Sequence, residues 1–232
     1  MKSKKHILLW GYGVLLHAVV IAALFFPKFI DDQRWRFGSL GDDRQQVFAE
    51  ELHHYHLAKA TAMKPGRVIL LGDSQIHRMD ANLLKTPSLN FGIGGDVLPN
   101  MKARMQSYHA LGAARALVVW GGVNDLRDHA PAEVAADMEE FIKAMPNSLD
   151  VLVLSLAPVR TGAQKYVSND AIVLLNEKTA ALCTGACQYL DVHGSLVDET
   201  GGLAAAFDAG DGLHLNATGY AVVTDLINKA LK

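Results

Sequence analysis

The sequence predicts an α/β fold: a doubly wound parallel sheet in a three-layer α/β/α arrangement, preceded by an N-terminal transmembrane helix. Three observations carry this. Short apolar runs alternate with helical stretches along most of the chain. Those runs are nearly continuous in Val, Ile and Leu, as strands covered on both faces are. One longer apolar run, at the very start, stands apart from the alternation. Of 232 residues, 50% are apolar and 20% charged, a balance that excludes a disordered chain. Beyond the first run, roughly 200 residues are left, enough for one domain with a full core and tight for two. The net charge is −2 and no long basic run occurs, so the chain lacks the footprint of a nucleic-acid-binding protein.

Residues 1–6 form a basic tail carrying Lys2, Lys4 and Lys5. Residues 7–27 (ILLWGYGVLLHAVVIAALFFP) hold one ionisable group, His17, and show no polar face. A helix of about 20 residues is about 30 Å long, the thickness of the hydrocarbon layer. The competing reading is a cleaved signal peptide. That would have a shorter apolar region and a small-x-small cleavage site, whereas this run ends Leu24-Phe25-Phe26-Pro27. An uncleaved signal anchor is the expectation. Lys28, Arg34 and Arg36 follow the span, so the positive-inside count is nearly tied. Retention of the short tail is the simpler arrangement and puts the remaining chain outside the cytoplasm, in the periplasm or at the cell surface.

Residues 28–64 are expected to form a juxtamembrane linker and a helix. That helix runs from Asp42 to about Met63, with Val47, Phe48, Leu52, Tyr55 and Leu57 as a partial apolar stripe. His53, His54 and His56 fall on it. His53 and His54 diverge on a helix, so a solvated face is expected there rather than a metal site. Pro65-Gly66 then breaks the chain and opens the domain, 65–232. Strands are expected at 67–71, 88–91, 116–120, 150–156 and 188–192. Helices are expected at about 76–85, 99–110, 131–145, 169–183 and 216–231.

In a doubly wound sheet the crevice lies beyond the carboxyl ends of the strands. Polar and Gly residues collect there. The first strand exits into Gly72-Asp73-Ser74-Gln75, the second into Asn90-Phe91-Gly92-Ile93-Gly94-Gly95-Asp96, and the third into Gly121-Gly122-Val123-Asn124-Asp125. Asp211-Gly212-Leu213-His214 precedes the last helix. These are the groups that acyl transfer needs. A serine hydroxyl is a weak nucleophile without a base in hydrogen-bond reach. The developing oxyanion needs N–H donors, which a helix start, a glycine loop and an Asn amide supply. The base needs a carboxylate to orient it, and Asp211 and His214 are close enough for one loop to present both.

In this order the four segments resemble the blocks of the SGNH/GDSL hydrolase superfamily, and the second and third are similar to those of the platelet-activating-factor acetylhydrolase catalytic subunits. The resemblance covers roughly 67–231. It implies the flavodoxin-like SGNH hydrolase fold and a serine ester hydrolase working through an acyl-enzyme. Ser74 would be the nucleophile, with Asp211 and His214 completing the triad. Ser74, Gly95 and Asn124 would provide the oxyanion donors. It implies no metal or organic cofactor. Substrates of the family range from lipids and thioesters to acetylated carbohydrates, and acetyl or short-chain esters are the first expectation. The alternatives are an O-acetyltransferase on envelope glycans, a lysophospholipase or thioesterase, and a non-catalytic glycan-binding module of the same fold. Binding modules derived from enzymes usually lack the Ser or His, and this chain has both. A flavodoxin-like nucleotide-binding domain is a further alternative.

Single residues also admit plainer readings. Ser74 could be a helix N-cap, and Asn124-Asp125 and Asp211-Gly212 could be turns. Gly92 and Gly94 suit a tight turn. His193 follows Asp191 at a strand end but has no carboxylate three residues before it. His77 either lines the pocket or faces solvent. Asp73, Asp96 and Asp125 are expected to organise loops by accepting backbone N–H bonds. Cys183 and Cys187 either pair as a disulfide or sit as two small buried residues near a helix end.

Overall fold

The computed structural model describes residues 41–146 and 148–231. The expected transmembrane segment, 7–27, lies outside the described residues. Among the described residues no helix is long and apolar enough to cross a membrane. The chain divides into two compact units, Met1–Glu50 and Glu51–Lys232. In the first, the described residues are the opening turns of helix α1 (Gly41–Thr61). The second contains the rest of α1 and the whole α/β assembly.

The sheet has five parallel strands: β1 (Val68–Gly72), β2 (Ser88–Gly92), β3 (Ala116–Trp120), β4 (Asp150–Leu154) and β5 (Cys187–Leu190). Their order is β2-β1-β3-β4-β5, the flavodoxin-like order, with the winding direction reversing between β1 and β3. The helices are α2 (Ser74–His77), α3 (Leu98–Ser107), α4 (Pro131–Lys143), α5 (Asn169–Leu182) and α6 (Ala217–Ala230).

Period-two alternation sorts the strand side chains onto two faces. Ile69, Leu71, Leu117, Val119, Val151 and Val153 pack on one face. Met101 and Met105 of α3, Val134 and Phe141 of α4 and Leu175 of α5 cover them. Val68, Leu70, Val118, Trp120, Leu152 and Leu154 pack on the other, under Ile76 of α2 and Tyr220, Val223 and Ile227 of α6. This is why the runs read as continuously apolar: each face of the sheet has its own core.

Several elements differ from their expected form. The helix expected at 76–85 is one turn, α2, followed by a 3-10 turn at Ala81–Leu83. The cause lies in β2. The Asn90 amide donates to the carbonyls of Ile76 (2.6 Å) and Met79 (2.8 Å), taking acceptors that a longer helix would have used. Asp80 then caps the 3-10 turn by accepting from the Asn82 N–H at 2.9 Å. The helix expected at 99–110 ends at Ser107, whose hydroxyl donates to the Arg104 carbonyl. Strand β4 ends at Leu154 because the Leu156 N–H donates to the Asn176 side chain (2.7 Å) instead of a strand.

The expectation of a solvated histidine face on α1 holds for exposed His54 and fails for His56. His56 is buried and stacks on Phe91 at 5.0 Å, and His53 pairs with the Ser107 hydroxyl at 3.0 Å. A histidine ring is flat and largely carbon, so it packs on an aromatic face as readily as it meets water. Cys183 and Cys187 are joined by a disulfide that closes the turn between α5 and β5.

Candidate active site

Ser74 opens α2 directly after β1, and the N-cap of that helix is Asp73. The Asp73 carboxylate accepts the Gln75 N–H at 2.8 Å. Capping is thereby supplied by Asp73, and the Ser74 hydroxyl is left to meet His214, whose Nε2 lies 2.8 Å from Oγ. Gly72 is required just before: a Cβ there would lie 2.1 Å from the Trp120 carbonyl oxygen.

The loop at 211–216 presents both remaining groups. Asp211 Oδ2 lies 2.7 Å from His214 Nδ1, while Oδ1 accepts the N–H groups of His214 (2.9 Å) and Leu213 (3.0 Å). With Nδ1–H donating to the carboxylate, Nε2 is left to accept the serine proton. Burial pushes the Asp211 carboxyl up. The His214 N–H, the His214 ring and the Leu213 N–H outweigh it and hold the carboxyl at about 2.

The loop is anchored from several directions. Gly212 takes a positive φ of 75°, its N–H donates to Asp208 and its carbonyl accepts from the Arg160 N–H. Gln164 donates to the Asp211 carbonyl, and Gln75 of α2 donates to the Leu213 carbonyl, both at 2.9 Å. The Tyr220 hydroxyl of α6 in turn holds the Gln75 carbonyl at 3.0 Å.

Gly95 and Asn124 stand beyond the carboxyl ends of β2 and β3, the strands neighbouring or paired with β1 in the order above. Gly95 is third in a turn closed by the Asp96 N–H donating to the Ile93 carbonyl (3.2 Å). Its φ of 78° is the left-handed conformation that a type II turn demands at that position. Asn124 donates one amide hydrogen to the Asp96 carbonyl at 2.9 Å, which leaves the other for a ligand.

Asp73, Asp96 and Asp125 are all buried and do accept backbone N–H bonds, from Gln75, Val97 and Leu98 respectively. Burial dominates Asp73 and lifts its carboxyl to about 7, with the Gln75 N–H opposing and Asp96 and Asp125 adding to the rise. Burial likewise raises Asp96 and Asp125. His193 donates its backbone N–H to the Ser155 hydroxyl, and burial lowers the pKa of its ring; the histidine bonded to Ser74 is His214. His77 is exposed, with its ring Nδ1 3.1 Å from the Gly92 carbonyl oxygen. Sequence reasoning missed Arg104, which lies on the buried stripe of α3 beside Met101, Met105 and Tyr108. A charged residue at a core-facing helical position was the available signal. It missed Gln75 and Tyr220 too, whose bonds join segments about 140 residues apart and leave no local pattern.

Residues 71–222, about two thirds of the chain, match the model of the GDSL-like Lipase/Acylhydrolase family. No curated protein matches the sequence. Among solved structures, a Streptococcus pneumonia protein named for platelet activating factor superposes with a TM-score of 0.77 at 20% identity, covering 84% of this chain and 97% of that one. A GDSL-like lipase from Bacteroides thetaiotaomicron gives 0.63 at 17% identity, over 79% of this chain and 98% of its own. An acetyl-xylooligosaccharide esterase variant from Geobacillus Stearmophilus gives 0.56 at 13% identity, over 73% and 96%. At these identities the structures speak for the fold, and the family match carries the assignment: the chain belongs to the GDSL-like lipase/acylhydrolase family.

Proposed function

We propose that the protein is a serine ester hydrolase that works through an acyl-enzyme on acetyl or short-chain esters of a carbohydrate or lipid. One observation carries the reading: the continuous relay from Ser74 Oγ to His214 Nε2 (2.8 Å) and from His214 Nδ1 to Asp211 (2.7 Å). His214 takes the Ser74 proton as Oγ attacks the ester carbonyl. The oxyanion is held by the N–H groups of Ser74 and Gly95 and the free amide hydrogen of Asn124. Collapse expels the alcohol, which takes the proton from His214, and leaves the acyl group on Ser74. Water then attacks with His214 again as base, releasing the acid and restoring the hydroxyl. Asp211, held ionised, orients the imidazole and stabilises its charged form.

The preference for short acyl groups is part of the proposal, and its support is the chemistry the fold hosts elsewhere, as in the esterase named for acetyl-xylooligosaccharides. Residues 7–27 are proposed to anchor the domain to a membrane, outside the cytoplasm.

The test is turnover of a p-nitrophenyl ester series from acetate to decanoate by the detergent-solubilised chain, beside Ser74→Ala. Activity highest on the short esters and absent from the variant is expected. A folded wild-type protein silent on every ester, or a variant as active as wild type, contradicts the proposal. A profile rising toward decanoate keeps the serine esterase and replaces the short-chain preference with a lipase.

A further inference from the structure

Helix α3 buries Leu98, Met101, Met105 and, just beyond its end, Tyr108, yet the residue at 104 on the same stripe is an arginine only 5% exposed. A guanidinium in that position is costly unless its N–H groups are paired. Here Nε donates to Asp96 Oδ2 at 2.6 Å. One terminal nitrogen donates to the Phe91 carbonyl (2.7 Å) and the Tyr108 hydroxyl (3.2 Å), and the other to the Gly72 carbonyl (2.9 Å). Two of these acceptors are main-chain carbonyls at the carboxyl ends of β1 and β2. A methionine, as at the neighbouring positions 101 and 105, would fill the space but hold neither carbonyl.

Each held group leads to an oxyanion donor. The Gly72 carbonyl lies two residues before Ser74, and it also accepts the Ile93 N–H (3.0 Å), which begins the turn containing Gly95. Asp96 follows Gly95 directly, and its own carbonyl seats the Asn124 amide at 2.9 Å. We propose that Arg104 is a positioning residue for the reaction: its planar fork fixes β1, β2 and the Asp96 loop relative to one another, so that the three donors converge on one oxygen. Lysine cannot replace it, because an ammonium is a point charge without the fork that spans several acceptors. This inference rests on the serine esterase reading above.

The experiment compares full-length wild type, Arg104→Lys, Asn124→Ala and the double variant, with Ser74→Ala as control. It measures kcat and KM on p-nitrophenyl acetate, with thermal melts alongside. Arg104→Lys is expected to lower kcat by about 10–10²-fold while KM moves less than about threefold, because oxyanion contacts act in the transition state. The combined loss in the double variant is expected to be at least about threefold smaller than the product of the single losses, since one of the three donors that Arg104 positions is already gone in Asn124→Ala. A kcat within about twofold of wild type, a loss confined to KM, or fully multiplicative losses would each overturn the proposal.

If Arg104→Lys does not fold, Asp96→Asn weakens the same tether while keeping the carbonyl that holds Asn124. It should lower kcat by at least about threefold with the same non-additivity, and an unchanged kcat overturns the inference. Ser74→Ala as active as wild type overturns the esterase reading and this inference together. A silent Ser74→Ala beside a fully active Arg104→Lys overturns this inference alone.

Discussion

Among single residues, Asp73 caps the helix and Ser74 is left to meet His214. Serine at a helix start is ordinarily a good cap, but here Asp73 accepts the Gln75 N–H and the Ser74 hydroxyl turns to His214. That arrangement has a cost, because the second Asp73 oxygen is buried without a hydrogen-bond partner. Asn124 shows the complementary economy, with one amide hydrogen securing its orientation on Asp96 and the other left for chemistry. Asn124→Ala should therefore lower kcat by about 10²–10³-fold and leave a measurable remainder from the Ser74 and Gly95 N–H groups. Steady-state kinetics on the preferred ester checks this, and a variant with wild-type kcat would remove Asn124 from the oxyanion site. The residues expected to carry chemistry were visible in the sequence because each sits in a short motif, three at strand exits and the fourth just before the last helix. Arg104 was hidden because its acceptors, at Gly72, Phe91 and Asp96, belong to other segments. Its one local trace was its place on an apolar stripe.

At the element scale, strand positions were the most legible part of the fold. Residues such as those of β1 and β3 are buried on both faces, so burial and sequence agree residue by residue. Helix lengths were less so: α2 stops after one turn because Asn90, on a different element, takes the carbonyls of Ile76 and Met79.

The C-terminal half of α1 shows a different failure, since counting His56 as polar concealed its packing on Phe91. Its Nδ1 is buried without a partner. Burial, and after it the cations Arg104 and Lys59 with His53 and His77, lowers the His56 pKa from 6.5 to about 3. Between those values the unfolded chain binds a proton that the folded one refuses. The stability this represents is full above 6.5 and is lost as pH falls through the window. At pH 5 the loss is about 2 kcal/mol. Asp73 has the opposite slope, because its carboxyl is raised in the fold and its contribution weakens as pH rises from 3.8 toward about 7. A variant therefore isolates the histidine better than wild type does. Melting temperatures of His56→Phe should fall less between pH 7 and pH 5 than those of wild type. Parallel curves would mean that His56 is not held neutral by the fold.

At the scale of the whole molecule, the strand order brings the site together. The winding reverses between β1 and β3, and Ser74 and Asn124 leave the sheet at that junction, with Gly95 just beyond the strand paired to the other side of β1. The chain then returns through α6, where the Asn216 side chain caps the helix and the preceding loop delivers Asp211 and His214. The four motifs are spread over about 140 residues, yet the β–α alternation alone places three of them at adjacent strand ends. The fourth could be placed only by resemblance, because a loop before a helix has no register to predict from. The most direct test of an acyl-enzyme on Ser74 is the mass of the intact protein, quenched in acid during turnover of a short-chain p-nitrophenyl ester, followed by peptide mapping. A transient mass gain equal to one acyl group is expected, located on Ser74 and missing from Ser74→Ala. An acyl group mapped to another residue, or ester turnover that continues in Ser74→Ala, would contradict it.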